Sequence, residues 1–179
     1  MTITTTAETR TTTPWRLSGR TRKAVLVTHI LSAGTWFGMD IVMGVLVFAA
    51  LGTDSDETRA VTYQALELFA VWPMATAGLV CLASGVLLGL GSKYGLVRYW
   101  WVAVKLFLNV LLSTLVLLSL RPGVRDLAEQ GRLLGDGLDA LPAPGDLVFP
   151  PIVSTSLLLV AFLLSVYKPW GRVRRRIRR

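Results

Sequence analysis

The chain has 179 residues, 53% of them hydrophobic and only 17% charged, with a net charge of +8. A soluble domain usually carries about a quarter charged residues, and here the charges are segregated from long apolar runs, as a lipid solvent demands. A single cysteine and a single histidine exclude an intrachain disulfide, a multi-cysteine metal site and a bis-histidine haem within one protomer. The positive charge flanks the apolar runs, which points to membrane orientation and anionic lipid, with no nucleic-acid partner.

Taken in chain order, residues 1–22 read as a disordered cytoplasmic segment, threonine-rich at its start. It is not a signal peptide, because the apolar run that follows is too long. A transmembrane domain over 23–169 comes next, with spans at about 24–51, 67–91, 99–120 and 148–168. A bilayer core of about 30 Å needs about 20 helical residues, and lipid-exposed backbone must bond to itself, so each span is expected to be an α-helix. Pro73 falls near the start of the second span, where a kink or a break from an interfacial helix is tolerated. Between the third and fourth spans, Leu127, Leu133, Leu134 and Leu138 approximate one side of a short amphipathic helix, expected to rest on the outer membrane surface. Residues 170–179 form a basic tail. The fold class is therefore all-α: a polytopic transmembrane four-helix bundle running up-down-up-down.

Arginine and lysine give the direction. Five of them (Arg10, Arg16, Arg20, Arg22 and Lys23) precede the first span, and seven lie at or beyond the end of the fourth, Lys168 and six arginines. The 1–2 connection carries only Arg59 against Asp54, Asp56 and Glu57, whereas the 2–3 connection carries Lys93 and Arg98 with no acid. Positive charge stays inside, so both termini are expected in the cytoplasm of a bacterial cell, with the protein in its plasma membrane.

Ionisable groups inside spans are costly and mark function by default. His29 and Lys105 lie at a similar depth, about 8–9 Å inside the cytoplasmic starts of spans one and three. Asn109 is one turn beyond Lys105 on the same face. Asp40 shares a face with His29 and Trp36 but sits about 16 Å further along the axis. It therefore belongs to an outer polar layer, which Glu67 and the Ser154–Ser156 run can join. Structural alternatives stand beside these: His29 bonds a neighbouring helix, Lys105 snorkels to headgroups, and Asp40 or Glu67 pairs with Arg59 or Arg121. Met39, Met43 and Met74 are either gap-fillers or a thioether set for Cu(I). Small residues recur at Ala77, Cys81, Gly85 and Gly89, and at Gly34 and Gly38. Such stripes suit close packing of the first two spans, or a homo-oligomer interface.

THILSAGTWFG and YGLVRYWWVAVKLFLNVLL resemble the first and third helices of an uncharacterised bacterial four-helix membrane family, distantly similar to CopD-like and HemJ-like proteins. The likeness covers roughly residues 24–120. HemJ-type proteins bind haem b, so the resemblance implies His29 as haem-iron ligand and Lys105 as the companion basic group; Asn109, on the same face as Lys105, joins them as a candidate cofactor-binding residue. Three functions follow: a haem- or porphyrin-linked redox protein, a non-enzymatic scaffold or assembly partner, and a small transporter or copper-handling protein using Asp40, Glu67 and the methionines. Catalytic residues, and whether the chain is an enzyme, are open at this level.

Overall fold

A computed structural model describes residues 17–91, 96, 98–134, 136 and 139–167. The first sixteen residues, Lys93, Leu138 and the basic tail lie outside the described residues. Six α-helices make four long apolar rods, and no strand occurs among the described residues. They are α1 (Gly19–Gly52), α2 (Asp56–Ala70), α3 (Trp72–Leu90), α4 (Trp100–Leu115), α5 (Arg121–Arg132) and α6 (Phe149–Tyr167). The protein is an all-helical, four-helix membrane bundle.

Local chemistry explains the boundaries. Ser18 caps α1, its Oγ accepting the Thr21 N–H at 3.2 Å, so Gly19–Arg22 extend the helix ahead of the apolar run. Ser55 caps α2 in the same way through Thr58, with Asp56 and Glu57 at the positive end of its dipole. At Val71 the backbone departs from helical geometry (φ −103°, ψ −79°) and α3 starts with Trp72 and Pro73. Proline has no N–H to give and suits a first helical turn, so the second rod breaks there.

The third rod holds a surprise. Instead of ending at Leu120, it runs from Trp100 to Arg132 through a single π turn, Val116–Leu120. The Arg121 N–H reaches back five residues to the Val116 carbonyl. Pro122, one residue on, has no N–H to offer, and the wider turn lets the helix pass it. The rod's 33 residues measure about 50 Å, well beyond a hydrocarbon core of about 30 Å. Its polar extension, α5, does not need the membrane surface for its apolar side. It buries Val124, Ala128 and Gly131 in contact with α2. A Cβ on Gly131 would lie 3.1 Å from the Ala60 carbonyl oxygen, so glycine permits this close approach.

Antiparallel contacts define two ends. At one, Leu17 touches Gly91 and Lys105 meets Ser165, which gathers the starts of α1 and α4 with the finishes of α3 and α6. The other, called here the capped end, carries α2, α5 and the 139–148 connection. Arg59 stitches it: Nε donates to the Ala50 carbonyl (3.2 Å), Nη2 to Thr53 O (2.7 Å), and Nη1 to Asp56 Oδ1 (2.7 Å) and Leu141 O (3.3 Å). The last carbonyls of α1 would otherwise lack donors. Tyr63, fully buried, adds a 2.6 Å bond from its hydroxyl to Pro142 O. Below this cap the core is built on Trp36, Met43, Val47, Leu66, Met74 and Leu112. Leucines, isoleucines and valines remain exposed along the rods, as expected of surfaces that meet acyl chains.

Candidate functional site

One face of α1 organises the interior. Ser32, Ala33, Trp36, Asp40, Met43, Val47 and Ala50 are all buried, at the three- and four-residue spacing of a helix facing its neighbours. Two polar centres lie along it. The first is at His29. Its Nδ1 lies 3.0 Å from the Cys81 carbonyl and 3.1 Å from Ser84 Oγ, with Cys81 Sγ at 3.7 Å, all on α3. A Cβ on Gly85 would stand 3.1 Å from His29 Cε1, so the imidazole is laid against a glycine. His29 thus links α1 to α3. Lys105 turns to other partners: its Nζ donates to Ser165 Oγ on α6 at 2.9 Å and sits 4.8 Å from the Trp101 ring centroid. Asn109 Oδ1 accepts the Ser113 hydroxyl one turn along α4, at 3.4 Å.

The second centre is Asp40, and it is 0% exposed. Ser154 of α6 donates to Oδ2 at 2.6 Å, whereas Oδ1 is buried with no partner among the described residues. Trp36 Nε1, one turn earlier on α1, is likewise buried and unpaired. Unpaired buried polar atoms are rare, and each calls for an explanation. The wall beside them is tight. A Cβ on Gly78 of α3 would fall 2.7 Å from Trp36 Cζ3 and 3.1 Å from Ser113 Oγ.

Asp40 lines a cavity of about 290 Å³. Besides Asp40 and Ser154, its polar groups come from Ser119 and Asp146. Met43 and Met74, each about 1% exposed, face it from α1 and α3. The remaining wall is apolar, and among the described residues no lysine or arginine lines it. Leu115, Ser119 and Leu120 reach it from the π turn and its preceding residue, and such turns recur at functional sites. The cavity's exposed rim combines Leu115 (42%), Phe149 (64%) and Val153 (45%), between α4 and α6, with the polar Ser119 and Asp146. A larger hollow of about 530 Å³ is a groove on the α1–α3 flank lined by Ser32, Thr35, Trp72 and Thr76 among others, and it contains no ionisable group.

The residues singled out from the sequence therefore divide. Asp40 and Ser154 come together. Glu67 joins neither: it pairs with Arg132 of α5, which also holds Glu129 at 3.0 Å. Of the arginines expected near the acids, Arg59 serves Asp56, and Arg121 lies 5.0 Å over the exposed Trp72 ring. Ser119 and Asp146 were not legible as site residues. A serine within a leucine run was the one available hint for Ser119, and Asp146 enters through a 3₁₀ turn, Gly145–Val148. Gly34 and Gly38 do not serve the close packing of the first two spans, one of the two uses expected of them. A Cβ at either meets nothing within 4 Å, so the α1–α3 seam uses Ser32, Ala33 and Trp36 instead.

No group of three or more histidine, cysteine, aspartate or glutamate side chains that could hold a metal occurs among the described residues. No curated protein and no solved structure matches the chain, and nothing in the comparisons supports the likeness to CopD-like and HemJ-like proteins. Residues 23–169 match the family model described as predicted integral membrane protein (DUF2269), and with most of its length so matched the chain belongs to that family.

Proposed function

We propose that this protein binds a small molecule inside the membrane at the Asp40 cavity, as the substrate site of a small carrier. The observation that carries the reading is Asp40, which lines a cavity while its Oδ1 is buried with no partner among the described residues. A carboxylate in such surroundings needs a proton or a cation beside it, because desolvation without compensation is severe. Intramembrane acids that face a cavity mark ion and substrate pathways. The cavity is close to the lower end of the usual range for small-molecule sites and combines apolar walls with a few convergent polar groups.

Native mass spectrometry after gentle extraction tests this. The wild-type chain is expected to retain a small-molecule adduct, and Ser154→Leu, which fills the cavity, is expected to lose it. An adduct retained equally by both, or by neither, overturns the reading. Both termini are assigned to the cytoplasm on the arginine distribution, which puts the capped end outside.

A second reading rests on His29. A proton on Nδ1 donated to the Cys81 carbonyl leaves the Nε2 lone pair free, the tautomer a metal-bound imidazole adopts. This favours a haem-linked role for His29, with Lys105 and Asn109 nearby in the bundle. It ranks second because His29 lines neither hollow described above. A Soret band in the purified protein, lost in His29→Ala, is its expected signature. A haem-loaded sample without that band would remove it.

A further inference from the structure

We infer that the ligand of the Asp40 cavity is a primary ammonium carried on an apolar chain, entering sideways from the membrane between α4 and α6. This rests on the preceding proposal that the cavity is a binding site, and it adds the chemical class and the route.

Charge sets the head group. Asp40 supplies a carboxylate with one oxygen held by Ser154 and the other left to accept a bond. Asp146 is a second acid, on the exposed rim, and among the described residues no basic side chain lines the cavity to receive an anion. The cavity therefore selects cations. Hydrogen-bond capacity narrows this to a cation with N–H donors, since Oδ1 lacks a donor rather than merely a neighbouring charge. A hard metal ion is a poor fit. Magnesium or calcium takes six or more oxygen ligands, and the side chains here offer two carboxyls and two hydroxyls, with no metal-holding acid cluster among the described residues.

The walls set the body of the ligand. Met43, Met74, Leu112 and Val116 are buried around the carboxylate and suit a hydrocarbon. Depth sets the route. Met74 follows Trp72 by two residues and Leu120 precedes Arg121, and Arg121 stacks over the exposed Trp72 ring. A Trp–Arg pair of this kind belongs at the membrane interface. The cavity thus lies just below headgroup level, and its rim opens sideways past Leu115, Phe149 and Val153, with the exposed Ser119 and Asp146 on the same rim. An amphiphile lying in that leaflet presents its amine at this depth and its tail in the mouth. The source is either a free alkylamine or an aminophospholipid.

The experiment uses the full chain in detergent, titrated with octylammonium, octanol and octyltrimethylammonium and read by native mass spectrometry. Octylammonium is expected to bind as one equivalent, about tenfold or more tighter than either analogue. Octanol lacks the charge, and the trimethyl compound lacks the N–H. Asp40→Asn keeps the shape and the Ser154 bond and is expected to erase the preference. Val153→Trp, which blocks the mouth from its exposed side, is expected to lower binding without touching the buried carboxyl. In a second arm, phosphatidylethanolamine competing with octylammonium while phosphatidylcholine does not identifies the lipid as source, and competition by neither identifies the free amine. Equal binding of octanol, or a preference that survives in Asp40→Asn, overturns the inference. So does silver(I) binding that needs Met43 and Met74 while octylammonium fails to bind. If octylammonium fails but the wild-type adduct is still lost in Ser154→Leu, the binding site stands and only its ligand class falls.

Discussion

His29 and Asp40 lie eleven residues apart on one side of α1, yet they are treated in opposite ways. His29 meets a backbone carbonyl, a serine hydroxyl and a glycine surface on α3, so its polarity is spent on joining two rods. Asp40 meets one serine and a cavity, and half of its carboxyl is left without a partner. Intramembrane polarity therefore has two uses in the same helix. A satisfied group acts as glue between helices, while an unsatisfied one beside open space costs stability, and the binding proposed for Asp40 would account for that cost.

The largest expected effect comes from the wall between the two centres. Gly78→Val should push against Trp36, which is fully buried and cannot swing aside, and cost about 3 kcal/mol. Gly44→Ala is the matched control: its new Cβ would sit 3.6 Å from Pro151 Cβ, an ordinary contact. Thermal unfolding in detergent should separate the two clearly, and similar melting temperatures would show that Trp36 can move.

The next effect tests the contrast itself by sign. Asp40→Leu replaces a half-satisfied carboxyl with a side chain the cavity can receive, and is expected to raise stability by about 1 kcal/mol. His29→Leu removes the α1–α3 bond and should lower it by about 1 kcal/mol. Shifts of the same sign would erase the distinction drawn here. Weaker still is Glu67→Gln. It breaks an ion pair whose arginine side chain is 46% exposed, and the expected loss is a small drop in melting temperature that shrinks further in high salt. The smallest effect belongs to Gly34→Ala with Gly38→Ala, where the added methyls meet open space, and stability should stay within about 0.5 kcal/mol. A larger change accompanied by altered mass on light scattering would place these glycines in a contact between copies.

The spans were readable because lipid makes apolar length nearly decisive, and the shared face of His29, Trp36 and Asp40 followed from helical spacing alone. The break at Pro73 was also readable, since proline's missing N–H is a local fact. What spacing could not supply was anything set by a distant partner. Glu67 was matched to the wrong arginines because Arg132 lies 65 residues away on a helix expected to lie flat on the membrane. That helix stands upright because α2 offers it a complementary face, and neither segment announces the other. The cavity was invisible for the same reason: its walls come from α1, α3, α6 and the π turn together, and empty space leaves no mark in a sequence.

The wide turn at Val116–Leu120 has an evolutionary corollary. It amounts to one surplus residue in an otherwise continuous rod. Deleting a single residue there would restore ordinary winding and leave everything downstream facing nearly as before, because the wide turn absorbs the extra residue where it sits. Removing one elsewhere in the rod, with the wide turn kept, would rotate Val124 and Ala128 away from α2 by about 100° and unseat the cap. A one-residue loss within Val116–Leu120 should therefore be tolerated over generations, whereas one between Trp100 and Leu115 should be purged even where substitutions accumulate.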